Sequence, residues 1–129
     1  MQANSTSVRF IRLGALMMAL AVALGAFGAH GLKKIVEPQM LVVYQTGVQY
    51  HFYHALGLIF IGLIANVQTD DKKLQLSGWL MFAGIVIFSG SLYIMTLTGI
   101  KEMGAITPIG GVLFIVSWIL LVRSFSTKK

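Results

Sequence analysis

Three histidines and a few hydroxyl side chains are the residues of this sequence that could do chemistry. On a helix, His51 and His54 lie one turn apart and could share a metal ion, with His30 as a third nitrogen ligand. His30 or His54 could instead act as a base, and the serines available to it are Ser89 and Ser91. A metal site would lack a thiolate or acidic ligand, and a catalytic histidine would lack a carboxylate to orient it, because the apolar stretches of the chain hold no cysteine and no carboxylate. We therefore expect no catalytic residue, no metal and no cofactor.

The segment 44–54 is unusually polar for its apolar surroundings. Gln45 and Gln49 share one helix face, whereas Tyr44, His51 and His54 occupy a different side. Polar groups that point several ways indicate a central helix with several neighbours, since polar side chains are costly in lipid. With residues at similar height elsewhere, they make a candidate ligand-binding or polar cluster. This cluster comprises His30, Gln45, Gln49, His54, Ser89, Ser91, Tyr93 and Thr107.

The composition identifies the environment of these residues. Of the 129 residues, 57% are hydrophobic and 11% are charged. The mean hydropathy is +0.82. An ordinary soluble domain is about 45–50% apolar and about 25% charged, so a soluble enzyme, a nucleic-acid binder and a disordered chain are poor interpretations. The net charge of +6 comes from basic residues that stand singly or in pairs, which is typical of membrane anchors and not of a nucleic-acid site.

Four stretches are long and apolar enough to cross a bilayer as helices, which takes about 20 residues each. They cover about 13–32, 41–67, 74–97 and 103–122, and the connections between them are too short for a soluble domain. The sequence therefore predicts an all-α fold. Residues 1–129 would form one membrane domain, a four-transmembrane-helix bundle with short loops.

The distribution of basic residues predicts the orientation of the bundle. One side carries seven, namely Arg9, Arg12, Lys72, Lys73, Arg123, Lys128 and Lys129. The other side carries three, namely Lys33, Lys34 and Lys101. This bias places both termini in the cytoplasm, and Trp79 and Trp118 near the cytoplasmic ends of their spans agree with it. The candidate cluster then lies in the outer half of the membrane and points inward, whereas the cytoplasmic halves are almost plain hydrocarbon.

Two local features leave alternatives open. The first apolar stretch could be a signal peptide with Arg9 and Arg12 as its basic region, but it exceeds the usual apolar length of about 7–15 residues. Thr107 and Pro108 are typical of a helix start, so that 101–106 would be non-helical or kinked. The free N–H groups of such a start could hold an anion, and an ordinary proline kink is the simpler interpretation.

Small residues in the spans predict close helix packing, either within the bundle or against a second copy. In the third and fourth spans these residues are Gly78, Gly84, Gly110 and Gly111.

Four ordered motifs resemble one known family. They are Gly25-Ala-Phe-Gly-Ala-His-Gly31, the segment 44–54, Phe88-Ser-Gly-Ser-Leu-Tyr93 and Ile106-Thr-Pro-Ile-Gly-Gly111. Together they resemble the small bacterial inner-membrane family catalogued as domain of unknown function 423, or uncharacterised protein family 0382, over nearly the whole chain. The resemblance implies four uncleaved transmembrane helices in a bacterial inner membrane. It implies no established reaction, ligand or catalytic residue, and His51 is a less typical position of the pattern.

Two functions from different classes remain at the level of the sequence. The first is a non-enzymatic structural, assembly or regulatory membrane component, whose partners would be the lipid bilayer and a second copy or another membrane protein. The alternative is a permeation or transport unit for a small neutral or anionic solute, with the outer polar cluster as its cavity. No span holds a carboxylate, which argues against proton- or sodium-coupled transport.

Overall fold

The computed structural model of the chain describes residues 4–68 and 72–125. Within these ranges all regular structure is helical, and four helical segments are long and apolar enough to span a membrane: Ser5–Lys34, Pro38–Val67, Lys72–Thr98 and Lys101–Ser124. The predicted fold class, an all-α membrane protein with four spans, is confirmed. Asp70, Asp71, Lys128 and Lys129, which belong to the charged loops and ends of the sequence, lie outside the described residues.

The first two helices are longer than their apolar stretches predict. Helix α1 covers Ser5–His30 and begins eight residues before the predicted 13. Its start is fixed by Asn4, whose side-chain oxygen accepts a hydrogen bond of 2.8 Å from the Ser7 amide. Helix α2 covers Pro38–Val67, and its first residue is the proline that suits the first turn of a helix. Hydropathy locates only the apolar part of a helix, whereas capping residues and prolines determine where the helix begins.

The third span is not a uniform α-helix. Helix α3 covers Lys72–Gly84 and helix α4 covers Gly90–Thr98, and a π-helical turn at Ile85–Ser89 joins them. The turn lies where the next helix comes closest, because a Cβ added to Gly110 would overlap the Phe88 backbone. One extra residue in a helical turn is a common device at functional sites, and no pattern in the sequence predicts it.

The fourth span begins as the sequence predicts. A 3-10 turn at Lys101–Ala105 precedes helix α5, which covers Thr107–Ser124 with Pro108 in its first turn. The chain enters this turn after Gly99, whose φ of 75° is a left-handed conformation that glycine adopts without strain. The Thr107 side chain does not cap the helix as expected, because its oxygen faces α4 instead.

Helix α2 is the centre of the bundle. It packs against α1, α3 and α4, and 44% of its most apolar window is buried, compared with 17% for the first and fourth spans. Its approach to α1 is close, since a Cβ on Gly14 would lie 2.9 Å from the Ala55 carbonyl oxygen and one on Gly62 would lie 2.9 Å from that of Ser7. The predicted central position of the second helix is confirmed.

The two ends of the bundle differ in what they carry. Asn4 donates a hydrogen bond to the Ala65 carbonyl and Gln68 donates one to the Ser124 carbonyl, so both described chain ends lie at one end, which we call the terminal end. The loops at 31–37 and 99–106 lie at the opposite end, which we call the loop end. The main apolar core lies towards the terminal end and includes Phe10, Leu58, Ile61, Leu74, Met81 and Phe114.

The predicted small residues serve packing inside the bundle. A Cβ on Gly78 would overlap the Phe10 ring, and one on Gly84 would lie 2.5 Å from the Phe114 ring. Bulky aromatic side chains therefore fill the space that these glycines leave. Gly111 differs, because its added Cβ would meet only the Phe88 ring, at an ordinary 3.9 Å.

Candidate functional site

A buried polar group joins α2 to the third span just after the π-helical turn. His51 is 1% exposed, and its Nδ1 lies 2.9 Å from the hydroxyl of Tyr93 on α4. Ser89, which closes the π-helical turn, donates a hydrogen bond of 2.7 Å to the Gly47 carbonyl. A Cβ on Gly47 would lie 3.0 Å from the Tyr93 ring. Glycine at this position therefore lets the Tyr93 ring come close to the α2 backbone and reach the histidine.

The second nitrogen of His51 is different. Among the described residues, His51 Nε2 is buried and has no partner with hydrogen-bond geometry. Tyr44 lies beside this group, with its ring centroid 5.2 Å from that of Tyr93, and donates its hydroxyl proton to the Leu24 carbonyl at 2.6 Å. The candidate cluster predicted from the sequence does not include His51. The signal that could have found it is its position in the sequence, between aromatic residues in an apolar stretch.

His54 has both of its ring nitrogens occupied. Nδ1 lies 2.7 Å from the Tyr50 carbonyl, and Nε2 accepts a hydrogen bond of 3.1 Å from the indole of Trp118 on α5. These two contacts are satisfied together by the neutral ring with its proton on Nδ1. The ring also stacks on Phe114 at an interplanar angle of 8°. The nitrogens of this histidine therefore bond neither a serine nor another histidine.

A hydroxyl pair connects α4 to α5 near the loop end. The oxygens of Ser91 and Thr107 are 2.6 Å apart. Ser91 is also within 2.8 Å of the Phe88 carbonyl, and Thr107 is within 3.4 Å of the Met103 carbonyl. The pair is a hydrogen-bonded link between two spans, next to the predicted helix start at Thr107.

The two glutamines face outward. Gln45 and Gln49 are exposed on α2 and, together with Tyr44 of the same helix, line a groove of about 430 Å³ between α1 and α2, in which Gly28 and Ala29 of α1 form the opposite wall. His30 is exposed at the end of α1 and does not line this groove. The expected single inward-pointing cluster is thus divided into separate places, because the shared face of the two glutamines is the outer one.

The polar links at the terminal end were not predicted from the sequence. Ser77 of α3 donates a hydrogen bond of 2.6 Å to the Ser117 carbonyl of α5, and both side chains are fully buried. Asn4 contacts Ala65 and Asn66 of α2. The halves of the spans at the terminal end, which the distribution of basic residues assigns to the cytoplasmic side, were expected to be almost plain hydrocarbon, and this expectation was wrong. The only signal in the sequence was that Ser77 and Ser117 are single small polar residues within apolar stretches.

Taken together, these contacts are hydrogen-bonded cross-links between helices. The hydroxyls of Ser89 and Ser91 are directed to carbonyl groups and to Thr107, and not to a histidine. Within residues 4–68 and 72–125, no three His, Asp or Glu side chains form a group that could hold a metal ion. His30, His51 and His54 are therefore not gathered as the metal interpretation requires.

The fold and these links define the class: an integral membrane bundle of four helical spans, held together by polar contacts inside the membrane. Comparison with known families identifies it further. Residues 24–111 match the family model described as "Protein of unknown function (DUF423)". Because this match covers more than half of the chain, the protein belongs to that family, and the resemblance carried by the four motifs is confirmed.

Related bacterial sequences extend the likeness to almost the full chain. The chain is 57% identical to the UPF0382 membrane protein YwdK of Bacillus subtilis over 113 residues, which are 88% of this chain and 92% of that protein. It is 54% identical to a UPF0382 membrane protein of Staphylococcus saprophyticus, with the same 88% and 92% covered. No solved structure gives a significant match. The relatives are named as membrane proteins, in agreement with the four spans.

Proposed function

We propose that the protein is a non-enzymatic component of the bacterial inner membrane that works as an assembly of copies. Its contact surface would be the exposed side of α2 that carries Gln45 and Gln49. Both termini would lie in the cytoplasm, which is supported by the excess of basic residues at the terminal end. The observation that carries the proposal is that these two amides face outward, whereas His51, Ser89 and His54 of the same region bond within the bundle.

The glutamines belong to a longer stripe along α2. Exposed residues recur every three or four positions on this face, as in the seam of a coiled coil. They are Val42, Gln45, Gln49, Tyr53, Leu56, Phe60, Leu63 and Val67. We call this set the α2 stripe. A lipid-facing surface needs only apolar side chains, so the two amides distinguish the α2 stripe from an ordinary lipid contact.

The depth of the glutamines makes their exposure costly. Helix α2 has 30 residues, so it is about 45 Å long and exceeds the hydrocarbon core of about 30 Å. Gln49 is eleven positions beyond Pro38, so in a centred helix it lies about 9 Å inside the core. An amide without a hydrogen-bond partner there costs about 2 kcal/mol or more. A partner that supplies both a donor and an acceptor removes this cost.

A second copy of the chain is such a partner. A symmetric pair of copies inserted in the same direction is related by a two-fold axis along the membrane normal, so each residue of the stripe meets its own counterpart. An amide both donates and accepts, and it can therefore pair with an identical amide. Interhelical hydrogen bonds of this kind contribute about 0.6–2 kcal/mol each. Gln45 and Gln49 together then determine the register of the two α2 helices.

Cysteine cross-linking in native membranes tests the assembly, because the chain has no cysteine of its own. Leu56→Cys and Phe60→Cys on the α2 stripe should form disulfide-linked dimers on mild oxidation. Val112→Cys and Ile115→Cys are matched controls, since these residues are exposed to a similar extent on α5. The controls should remain monomeric.

The role of the amides is tested in the Leu56→Cys background. Replacing Gln45 and Gln49 together by Leu should lower dimer formation by about tenfold, since the hydrogen bonds that they remove contribute about 1–2 kcal/mol. The monomer should stay folded because neither side chain is buried in it. Equal cross-linking on α5, or cross-linking of the stripe to a protein of different mass, would contradict assembly from copies of this chain.

The groove beside the glutamines also supports a second candidate, a permeation unit for a small neutral or anionic solute. Its volume of about 430 Å³ would admit such a solute, and both amides line it. Flux of neutral and anionic solutes into vesicles that contain the purified protein tests this candidate. Transport abolished by Gln49→Leu, with dimer formation unchanged, would favour permeation over assembly.

A further inference from the structure

A second groove lies at the terminal end, on the opposite half of the bundle from the glutamines. It has a volume of about 730 Å³ and is formed by one face of α1 together with Trp79 of α3. Arg9 and Arg12 line the part of it nearer the terminal end, and Leu13 and Leu16, further along α1, line the part nearer the middle of the bundle. We call the cationic part its entrance and the apolar part its floor.

Two arginines share this face of α1. Arg9 and Arg12 are three positions apart and so are neighbours on the surface of α1. The Arg9 guanidinium lies over the Trp79 ring, 5.8 Å from its centroid, a distance at which a cation is attracted to the ring face. Within residues 4–68 and 72–125, no carboxylate forms an ion pair with either arginine. The positive charge at this entrance is therefore available to an anion from outside the described chain.

The ring of Trp79 is held in place by the core. It packs edge-on against Phe10 at a centroid distance of 5.2 Å, and Phe10 is fully buried. Phe10 in turn occupies the space left by Gly78. The indole thus packs against the core on one side and forms a wall of the groove on the other, where Arg9 lies over its ring.

We infer that this groove binds an anionic phospholipid, with its phosphate between Arg9 and Arg12 and an acyl chain along Leu13 and Leu16. Guanidinium groups bind phosphate oxygens in a bidentate manner, which gives both charge and geometry. The apolar floor begins within one helical turn of Arg12, about 6 Å along the axis at most, which suits a phosphate joined to a hydrocarbon chain. Basic grooves between transmembrane helices at the cytoplasmic side are typical sites for anionic lipid headgroups.

Quenching of tryptophan fluorescence by brominated lipids tests this site directly. In the Trp118→Phe background, Trp79 is the only tryptophan of the chain. Vesicles that contain brominated phosphatidylglycerol should quench Trp79 more than vesicles with the same amount of brominated phosphatidylcholine. We expect a preference of about tenfold in relative binding, because the choline headgroup carries a cation that opposes the bidentate bonding of its phosphate to arginine.

Matched variants separate the site from general basic charge. Arg9→Gln and Arg12→Gln should each lower the preference for phosphatidylglycerol, whereas Arg123→Gln, at the same end of the bundle but outside the groove, should leave it unchanged. Arg9→Lys with Arg12→Lys retains the charge needed for insertion and should still lower the preference, because lysine cannot bind in a bidentate manner. Equal quenching by both lipids, or an equal loss in Arg123→Gln, would overturn the inference.

Two further measurements keep the test decisive. Inorganic phosphate added up to millimolar levels should not relieve the quenching by phosphatidylglycerol; if it does, the groove holds phosphate alone and the lipid inference is wrong. Should Trp118→Phe fail to fold, native mass spectrometry of the otherwise unchanged protein counts retained lipids. Retention of phosphatidylglycerol over phosphatidylcholine should then disappear in Arg9→Gln. A lack of any retained anionic lipid would contradict the site independently of the α2 assembly.

Discussion

At the scale of single residues, the spans are held together by polar side chains that each have a partner on another helix or on the nearby backbone. The contact of His51 with Tyr93 is one of these, and the histidine in it is only 1% exposed. Losing one partner of a buried hydrogen bond costs more than the bond itself contributes, because the remaining group stays desolvated. The contribution of these residues to stability is therefore measured most clearly when only one member of a hydrogen-bonded pair is replaced.

Tyr93→Phe removes the hydroxyl that contacts His51 Nδ1 and leaves the ring in place. We expect the free energy of unfolding to fall by about 1–2 kcal/mol, measured by reversible unfolding in mixed micelles. Tyr50→Phe is the matched control, since this tyrosine is 38% exposed on α2, lies outside the α2 stripe and should change stability little. Equal stability of Tyr93→Phe and Tyr50→Phe would show that the His51 contact contributes nothing.

At the scale of elements, the sequence predicts the helices well but not the face that each presents. Apolar length predicts four spans, and Thr107 with Pro108 predicts the start of α5. Spacing alone shows that Gln45 and Gln49 share a face, but whether that face is inner or outer depends on the positions of α1 and α3. The π-helical turn at Ile85–Ser89 likewise depends on the approach of α5. Such features follow from the packing of the helices against one another, which the residue pattern within each helix does not reveal.

Gly110→Ala tests that approach of α5 to the π-helical turn. The added Cβ would overlap the Phe88 backbone, which cannot move aside as a flexible side chain can. We expect a loss of stability of about 3 kcal/mol, at the upper end for overpacked sites, measured by reversible unfolding of the purified protein in mixed micelles.

The neighbouring glycine supplies the control. Gly111→Ala would place its Cβ 3.9 Å from the Phe88 ring, an ordinary van der Waals contact, and should be tolerated. Comparable behaviour of Gly110→Ala and Gly111→Ala would mean that the third span and α5 are not as close as described.

At the scale of the whole molecule, the polar parts of the two proposed contacts lie on opposite halves of the bundle. The glutamines of the α2 stripe lie towards the loop end, and the arginine groove lies at the terminal end. With the terminal end in the cytoplasm, the lipid would come from the inner leaflet and the glutamines of two copies would pair in the outer half, whereas the apolar part of the α2 stripe continues to the terminal end. Orientation in the membrane therefore links the two proposals.

Cysteine labelling of intact cells tests this orientation. Lys33→Cys and Lys101→Cys, in the loop-end connections, should react with an impermeant reagent from outside. Lys72→Cys, at the first residue of α3, should react only after permeabilisation. The parent chain, which has no cysteine, is the background control. Labelling of Lys72→Cys in intact cells would reverse the orientation and place the arginine groove in the outer leaflet.

The π-helical turn also sets how this span can change length. A five-residue turn holds one residue more than the α-helical repeat requires, so deleting one residue from 85–89 would restore a regular helix. Because the wide turn takes up the extra residue within itself, the helix beyond it would keep nearly the same orientation, and Tyr93 would still face His51 and Ser91 would still face Thr107. A deletion of one residue in α3 would instead rotate the rest of the span by about 100° about its axis. The π-helical turn is thus the place in the third span where the loss of one residue disturbs the contacts beyond it least.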